Sequence, residues 1–161
     1  MLQRCEEDSV LKIIDRHSDM IYKICFVYLK NRFDAEDAFQ ELIIKIMEKA
    51  PRFLSDEHEK AWLIKVSGNH CKNILRSKKL KKYVLFNDDI VLEKSINEDD
   101  TLEYILNLPL QYRNVLYLYY YEGYSSKEIA SLLNKRDATI RTWLKRAREN
   151  LKNVIGGDYN E

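Results

Sequence analysis

Breakers of regular structure are scarce in this chain: 161 residues contain four Gly and two Pro. That scarcity argues against a sandwich or barrel, which needs many tight turns, and favours helices joined by short connections. Cysteine is equally sparse. Cys5, Cys25 and Cys71 are odd in number and far apart, with neither a CxxC pair nor the spacing of a zinc ligand set, so a reduced, cytoplasmic setting is expected. His70 beside Cys71 is the one His/Cys neighbour pair, and one pair cannot complete a tetrahedral metal site. No metal and no cofactor is expected. Long apolar runs are missing too. Arg4, Glu6, Glu7 and Asp8 interrupt the amino terminus, and no stretch approaches the roughly 20 apolar residues of a membrane span, so neither a signal peptide nor membrane insertion is expected.

What the chain has is helix-forming and charged: 45% hydrophobic residues, 33% charged and eleven Tyr. Its length allows one ordinary domain or two small ones and does not choose between them. A net charge of +1 gives no reason to propose a nucleic-acid partner, but the sum hides a pattern. Lys72, Arg76, Lys78, Lys79, Lys81 and Lys82 follow one another with no acid between them, and a second basic run goes from Lys135 to Lys152. Between the runs lie Asp88, Asp89, Glu93, Glu98, Asp99, Asp100 and Glu103. The alternation reads as two basic surfaces joined by an acidic connector, against the plainer reading of three solvated faces.

Apolar periodicity predicts a first helix over about Ser9–Lys30, with Val10, Ile13, Ile14, Met20, Ile21, Ile24 and Tyr28 at helical spacings. Asn31 and Arg32 end it. A second helix is predicted to begin at Asp34, with that carboxylate as its cap and Asp37 adding negative charge at its positive end. Ala35, Ala38, Phe39, Leu42, Ile43, Ile46, Met47 and Ala50 form its inner stripe, which leaves Asp37, Gln40, Glu41, Ile44 and Glu48 outside. Pro51 closes it. A loop of Phe53, Leu54, Ser55 and Asp56 leads to a third helix, about Glu57–Lys79, apolar at Trp62, Leu63, Val66 and Ile74 and basic on one side. Gly68 in its middle costs about 1 kcal/mol relative to Ala, a sign of close packing or of a weak spot. Periodicity then fades into a polar, acidic linker. A short helix over Thr101–Asn107 is predicted before Leu108 and Pro109, with Pro109 in the first turn of the next helix.

The next segment, Leu110–Tyr121, is predicted helical with Tyr112, Val115, Leu116, Tyr119 and Tyr120 inward, and Gly123 reverses the chain. Ser125 with Glu128 three residues on is a capping box, opening a short helix that carries Ile129, Ala130, Leu132 and Leu133. After the turn Asn134, Lys135, Arg136, a last helix runs from Asp137 to about Val154 with Ile140, Leu144, Ala147 and Leu151 on one face. Arg136, Thr139, Arg141, Thr142, Lys145, Arg146 and Arg148 fall on or near the other. A short helix, a tight turn and a longer basic helix are the parts of a helix-turn-helix, whose second helix enters the major groove. The plainer alternative is a helical hairpin with a solvated basic face. The expected fold class is thus all-α: two small helical domains joined by a flexible linker, the second with a helix-turn-helix.

Three blocks in order carry a resemblance: Asp34-Ala35-Glu36-Asp37-Ala38-Phe39-Gln40-Glu41; Ala61-Trp62-Leu63 with Asn69 and Asn73; and Leu108-Pro109 with the helix-turn-helix ending Leu144-Lys145-Arg146-Ala147-Arg148. From about Asp19 to Leu151 the chain resembles the extracytoplasmic-function sigma factors of bacterial RNA polymerase. The resemblance implies sigma region 2 over 1–82, an acidic linker over 83–100 and sigma region 4 over 101–161. It implies that Asp37, Gln40, Glu41 and Ile44 dock on the clamp helices of the largest polymerase subunit, and that region 4 meets the flap. Lys65, Asn69, Lys72, Asn73 and Arg76 would hold the minus-ten element, asparagines on the unstacked strand and cations on phosphate. Arg141, Thr142, Lys145 and Arg146 would read the minus-thirty-five element, and Thr139 shares their helix. Lys135, Arg136 and Arg148 would add phosphate contacts. Trp62 is assigned to the core. An anti-sigma factor is a further partner by family habit.

Three residues depart from the family pattern: Glu59, where an aromatic or apolar residue is usual, Trp143 in place of a basic one, and Arg136 in place of a small capping residue. Rival readings are a DNA-binding regulator that never joins polymerase, a nucleic-acid enzyme, and a pure interaction module. The first leaves the Asp37–Glu41 block unexplained. The second needs a metal cluster or a poised nucleophile and base, whereas His17, His58 and His70 are scattered with no acid at a suggestive spacing. The third does not require a basic recognition helix.

Overall fold

The computed structural model describes the backbone of residues 6–84 and 104–159, and the side chains of 6–78 and 104–153. Cys5 and the acidic stretch from Leu85 to Glu103 lie outside the described residues. Every regular element described is helical. The chain divides into two compact units, Met1–Glu93 and Lys94–Glu161.

In the first unit three helices share one core: α1 (Glu7–Leu29), α2 (Arg32–Lys49) and α3 (Asp56–Val84). Helix α1 packs on both others and buries Ile13, Met20, Ile21, Ile24, Val27 and Tyr28, close to the predicted stripe. Its end is set by Lys30, which takes the left-handed conformation (φ 66°) and donates its N–H to the Phe26 carbonyl at 2.8 Å.

Helix α2 begins two residues before the predicted Asp34. Asn31 is the cap: its side-chain oxygen accepts from the Asp34 N–H at 2.8 Å, while its amide nitrogen donates back to the Asp34 carboxylate at 2.5 Å. An Asx cap three residues before an acid is a variant of the capping box, so the cap is Asn31 and Asp34 is its reciprocal partner rather than the cap itself. Ala35, Ala38, Leu42, Ile46 and Ala50 are buried, but Met47, predicted inward, is 43% exposed. Ala50 closes the helix in an extended conformation (ψ 122°), as the following Pro51 demands.

Helix α3 opens under Ser55, whose hydroxyl accepts from the His58 N–H at 3.1 Å, and is longer than predicted. Gly68 is a close-packing site: a Cβ there would stand 3.0 Å from the Tyr28 hydroxyl of α1. Beside that contact Cys25 and Cys71, both wholly buried, share a thiol hydrogen bond. This bond and burial push the Cys71 thiol far above its ordinary range, so the pair behaves as core.

The second unit holds α4 (Leu110–Leu116), a π-helical turn (Tyr117–Tyr121), α5 (Ser126–Leu133) and α6 (Asp137–Tyr159). Residues 104–106 are also helical, within the short helix expected over Thr101–Asn107. Pro109 is the N-cap of α4 rather than part of its first turn, with ψ at 150°. The π turn was not predicted, since it changes the hydrogen-bond ladder and with it the side-chain register. Arg113 through Leu118 are buried, whereas Tyr120, predicted inward, is 57% exposed. The buried Arg113 guanidinium donates to the Leu108 carbonyl at 3.0 Å. Gly123 turns the chain at φ +73°, a conformation only glycine adopts freely.

Candidate nucleic-acid interface

On the outer face of α2, Asp37, Gln40, Glu41 and Ile44 sit at i, i+3, i+4 and i+7 and are all exposed. The same stripe continues to Phe33 and Met47, and with Ile44 at 59% and Phe33 at 71% exposure the face is more apolar than its sequence suggested. Glu41 is not free in solvent: its Oε2 lies 2.9 Å from His70 Nε2 of α3. Asp34 also reaches across to α3, where Lys78 donates to its carboxylate. The outward-facing helix is therefore pinned to α3 at both ends of its acidic stretch.

Helix α3 brings Lys65, Asn69, Lys72, Asn73 and Arg76 onto one face, at i, i+4, i+7, i+8 and i+11; Lys72 is half-buried and the other four are exposed. Helical spacing dictated this grouping. Ahead of it the loop is stiffened from within. Phe53 sets its ring edge-on to Trp62 at 5.5 Å and to His58 at 5.3 Å, and the Leu54 N–H donates to His58 Nδ1 at 3.3 Å. Trp62, assigned to the core, is only half-buried and serves as the loop's backing. Leu54 projects from this support with 94% of its surface exposed.

Glu59 is where sequence reasoning had least to offer. It is buried, at 6% exposure, and its Oε1 meets Arg16 Nη2 and His17 Nε2 of α1, each at 2.9 Å. The signal was its spacing: Glu59 stands four residues before buried Leu63, so an acid on the inward stripe had to find a cation. Two of the three histidines thus do have acid partners, His17 with Glu59 and His70 with Glu41. Both pairs are tertiary, across 42 and 29 residues, so no acid stands near either histidine in the sequence at a suggestive spacing. Neither pair lies beside a metal-ligand group; no cluster of three or more ligating side chains occurs among the described residues.

In the second unit the capping box forms as predicted: Ser125 Oγ accepts from the Glu128 N–H at 3.2 Å, and Glu128 Oε1 accepts from the Ser125 N–H at 3.1 Å. These bonds hold the Glu128 carboxyl below its ordinary range. Burial, with Glu122 and Glu128 nearby, raises the neighbouring Tyr124 to about 12. Helix α5 ends at Asn134 in the left-handed conformation (φ 53°), and α6 begins three residues later.

Ile140, Leu144 and Ala147 bury the inner face of α6. Arg136, Arg141, Thr142, Lys145, Arg146 and Arg148 are exposed, and Thr139 is half-buried. Three of these are already engaged. Arg141 Nε lies 3.3 Å from Asp137, the Thr142 hydroxyl donates to the Ala138 carbonyl at 2.9 Å, and Arg148 donates to the Tyr120 hydroxyl at 2.9 Å. Lys145 and Arg146 reach outward from the same surface. A short capped helix and a long helix with a cationic outer face are the geometry that places side chains in a major groove.

Comparison with known proteins agrees in both units. The Sigma-70 region 2 model matches residues 13–81, and the Sigma-70, region 4 model matches residues 99–151. The chain is 28% identical to the ECF RNA polymerase sigma factor SigW of Bacillus subtilis, over 96% of this chain and 92% of that one. It is 29% identical to the RNA polymerase sigma factor SigV of the same organism, over 83% of each. In fold it is similar to the sigma factor RpoE of Bartonella quintana, solved in complex with the anti-sigma factor NepR, with a TM-score of 0.70 at 18% identity over 92% of this chain and 95% of that one.

Proposed function

This chain belongs to the extracytoplasmic-function sigma factors, which direct promoter recognition and transcription initiation by RNA polymerase, and we propose how its surfaces divide that work. Its domains are region 2 over 1–82, an acidic linker over 83–100 and region 4 over 101–161. The outer face of α2, with Asp37, Gln40, Glu41 and Ile44, docks on the clamp helices of the largest polymerase subunit. Acidic residues around exposed apolar ones suit a partner helix by charge and burial together. Lys65, Asn69, Lys72, Asn73 and Arg76 of α3 hold the opened minus-ten strand. Region 4 lies on the flap and sends Thr139, Arg141, Thr142, Lys145 and Arg146 to the minus-thirty-five element, with Lys135, Arg136 and Arg148 on phosphates.

The observation that carries this reading is that the two family models occur in order on one chain, each over a domain that exposes a fitting surface. The chain makes no bond and breaks none: strand opening is binding, and chemistry stays with polymerase. It works in the cytoplasm, where polymerase is, without metal, cofactor or membrane insertion. An anti-sigma factor is a further proposed partner, on the precedent of the RpoE–NepR complex. A helix-turn-helix regulator acting without polymerase would leave the α2 face without a task.

Run-off transcription from genomic fragments tests the assignment, with core polymerase and wild type, Glu41→Lys or Arg146→Ala. Wild type is expected to start transcription at discrete sites and both variants to fail. DNA binding without directed initiation would sink the reading.

A further inference from the structure

Arg148 and Tyr120 come from different elements, the outer face of α6 and the end of the π turn. The Arg148 Nε donates to the Tyr120 hydroxyl at 2.9 Å, and its guanidinium carbon stands 5.2 Å from the Tyr119 ring centroid and 5.8 Å from that of Tyr120. The two rings meet edge to face, 5.0 Å apart, so they form a corner against which the planar cation lies. This contact bridges 28 residues, and it fixes the least constrained kind of side chain, an exposed arginine.

What the corner holds in place is still available for binding. Only Nε is engaged; the two terminal nitrogens have no partner among the described residues. Tyr120 accepts through its oxygen, so its own proton remains free to donate. It is 57% exposed, a surprising position for a tyrosine whose ring could have joined the core beside it. Along α6, Arg141, Lys145, Arg148 and Lys152 stand at i, i+4, i+7 and i+11, all exposed, so Arg148 lies on the cationic stripe that faces DNA in the proposed function.

We propose that Tyr120 and Arg148 form a single phosphate clamp on the promoter backbone, with Tyr119 as its platform. Two guanidinium N–H groups and one phenolic O–H converge on one phosphate, and the Arg148–Tyr120 bond orients the guanidinium before DNA arrives. Arg148 supplies the charge. Tyr120 is a positioning residue that also donates, a role the α-helical periodicity of Leu110–Tyr121 concealed because it predicted the ring to be inward. The clamp rests on the region 4 reading, and its task is to set the register of α6 on the duplex without reading sequence.

The test uses the full chain bound to core polymerase and a promoter fragment defined by run-off transcription, with affinity measured across a series of salt concentrations. Arg148→Met should flatten the log–log salt dependence by about one, as expected for one lost phosphate contact. Tyr120→Phe keeps the ring and the charge, and should lower affinity about tenfold with the slope unchanged. Arg148→Lys keeps the charge but cannot make the planar bidentate contact, so it should lose about as much at constant slope. Tyr120→Phe combined with Arg148→Lys should be no worse than the weaker single variant, because both remove one device. An unchanged slope for Arg148→Met, or wild-type affinity for Tyr120→Phe, would overturn the clamp and leave the contact as a brace for the π turn. Absence of promoter-specific binding by the wild-type complex would instead overturn the region 4 reading beneath it.

Discussion

Both domains have local caps, Asn31 with Asp34 and Ser55 with His58 in the first, but their polar contacts differ in reach. In the first, Glu59 reaches Arg16 and His17, Glu41 reaches His70, and Asp34 reaches Lys78, all across 29 to 44 residues. In the second, Ser125 and Glu128, Arg113 and Leu108, Tyr117 and Glu122, and Asp137 and Arg141 are three to five residues apart. Arg148 with Tyr120 spans a longer interval there, 28 residues. The first domain therefore adds polar contacts where its long helices meet, while the second shows more of them where its helices start and stop. The difference suits their tasks. In the proposed function, polymerase and an opened strand would press on neighbouring faces of one helical packing, whereas a helix-turn-helix needs one helix set at a fixed angle.

Each domain contains one Trp, Trp62 and Trp143, so single-Trp variants read the two stabilities separately. The largest effect is expected in the first domain. Replacing Arg16 and His17 together by Met and Leu strands a buried carboxylate, and should cost about 3 kcal/mol at the Trp62 transition. Arg16 is half-exposed, which keeps the loss toward the low end of what a broken buried pair costs. Glu59→Met in the same double variant should restore most of it, since an apolar side chain needs no cation. The urea midpoint of each variant measures this; an equal loss at Trp143 would break the separation of the domains.

This contrast in range also decides what could be read from sequence. Helix-turn-helix boundaries are local chemistry, so Ser-x-x-Glu at 125–128 and Gly123 marked them correctly. The grouping of Lys65, Asn69, Asn73 and Arg76 followed from spacing alone. By contrast, no local rule says that Glu59 meets His17 or that Glu41 meets His70, because those pairs exist only once α1, α2 and α3 have packed. Tyr120 escapes an α-helical reading for another reason: an α period does not hold through a segment that follows a π ladder. Met47 shows a third limit. An apolar stripe marks what can be buried, yet Phe33, Ile44 and Met47 stay exposed, on the face that the proposed function gives to polymerase.

Tighter still is the crossing of α1 and α3. Gly68→Ala gains about 1 kcal/mol in helix propensity but brings a Cβ to 3.0 Å from the hydroxyl of the buried Tyr28, and the contact should win, for a net loss near 1 kcal/mol at Trp62. Combined with Tyr28→Phe, which removes the atom it meets, the same substitution should turn stabilising. The sign change in this cycle is the measurement, and its absence would mean the helices part instead of the side chain yielding. In the second domain Ser125→Ala should cost about 1 kcal/mol at Trp143 and nothing at Trp62, because a cap acts on its own helix.

The smallest expected effect follows from the same cap and has a definite sign in pH. Glu128 is held below its ordinary carboxylate value by the Ser125 bonds, so its ionised form favours the folded domain. That contribution is complete above the unfolded carboxylate's range and disappears as pH falls through the lowered folded value. Glu128→Gln removes that charge and keeps a side-chain oxygen that can accept from the Ser125 N–H. The gap between wild type and Glu128→Gln in urea midpoint at Trp143 should accordingly narrow on acidification, by a small amount because the side chain is exposed, while the Trp62 transition of the two proteins stays coincident. A gap that stays constant would show that the ionised form of Glu128 contributes nothing, and that hydrogen bonds alone cap α5.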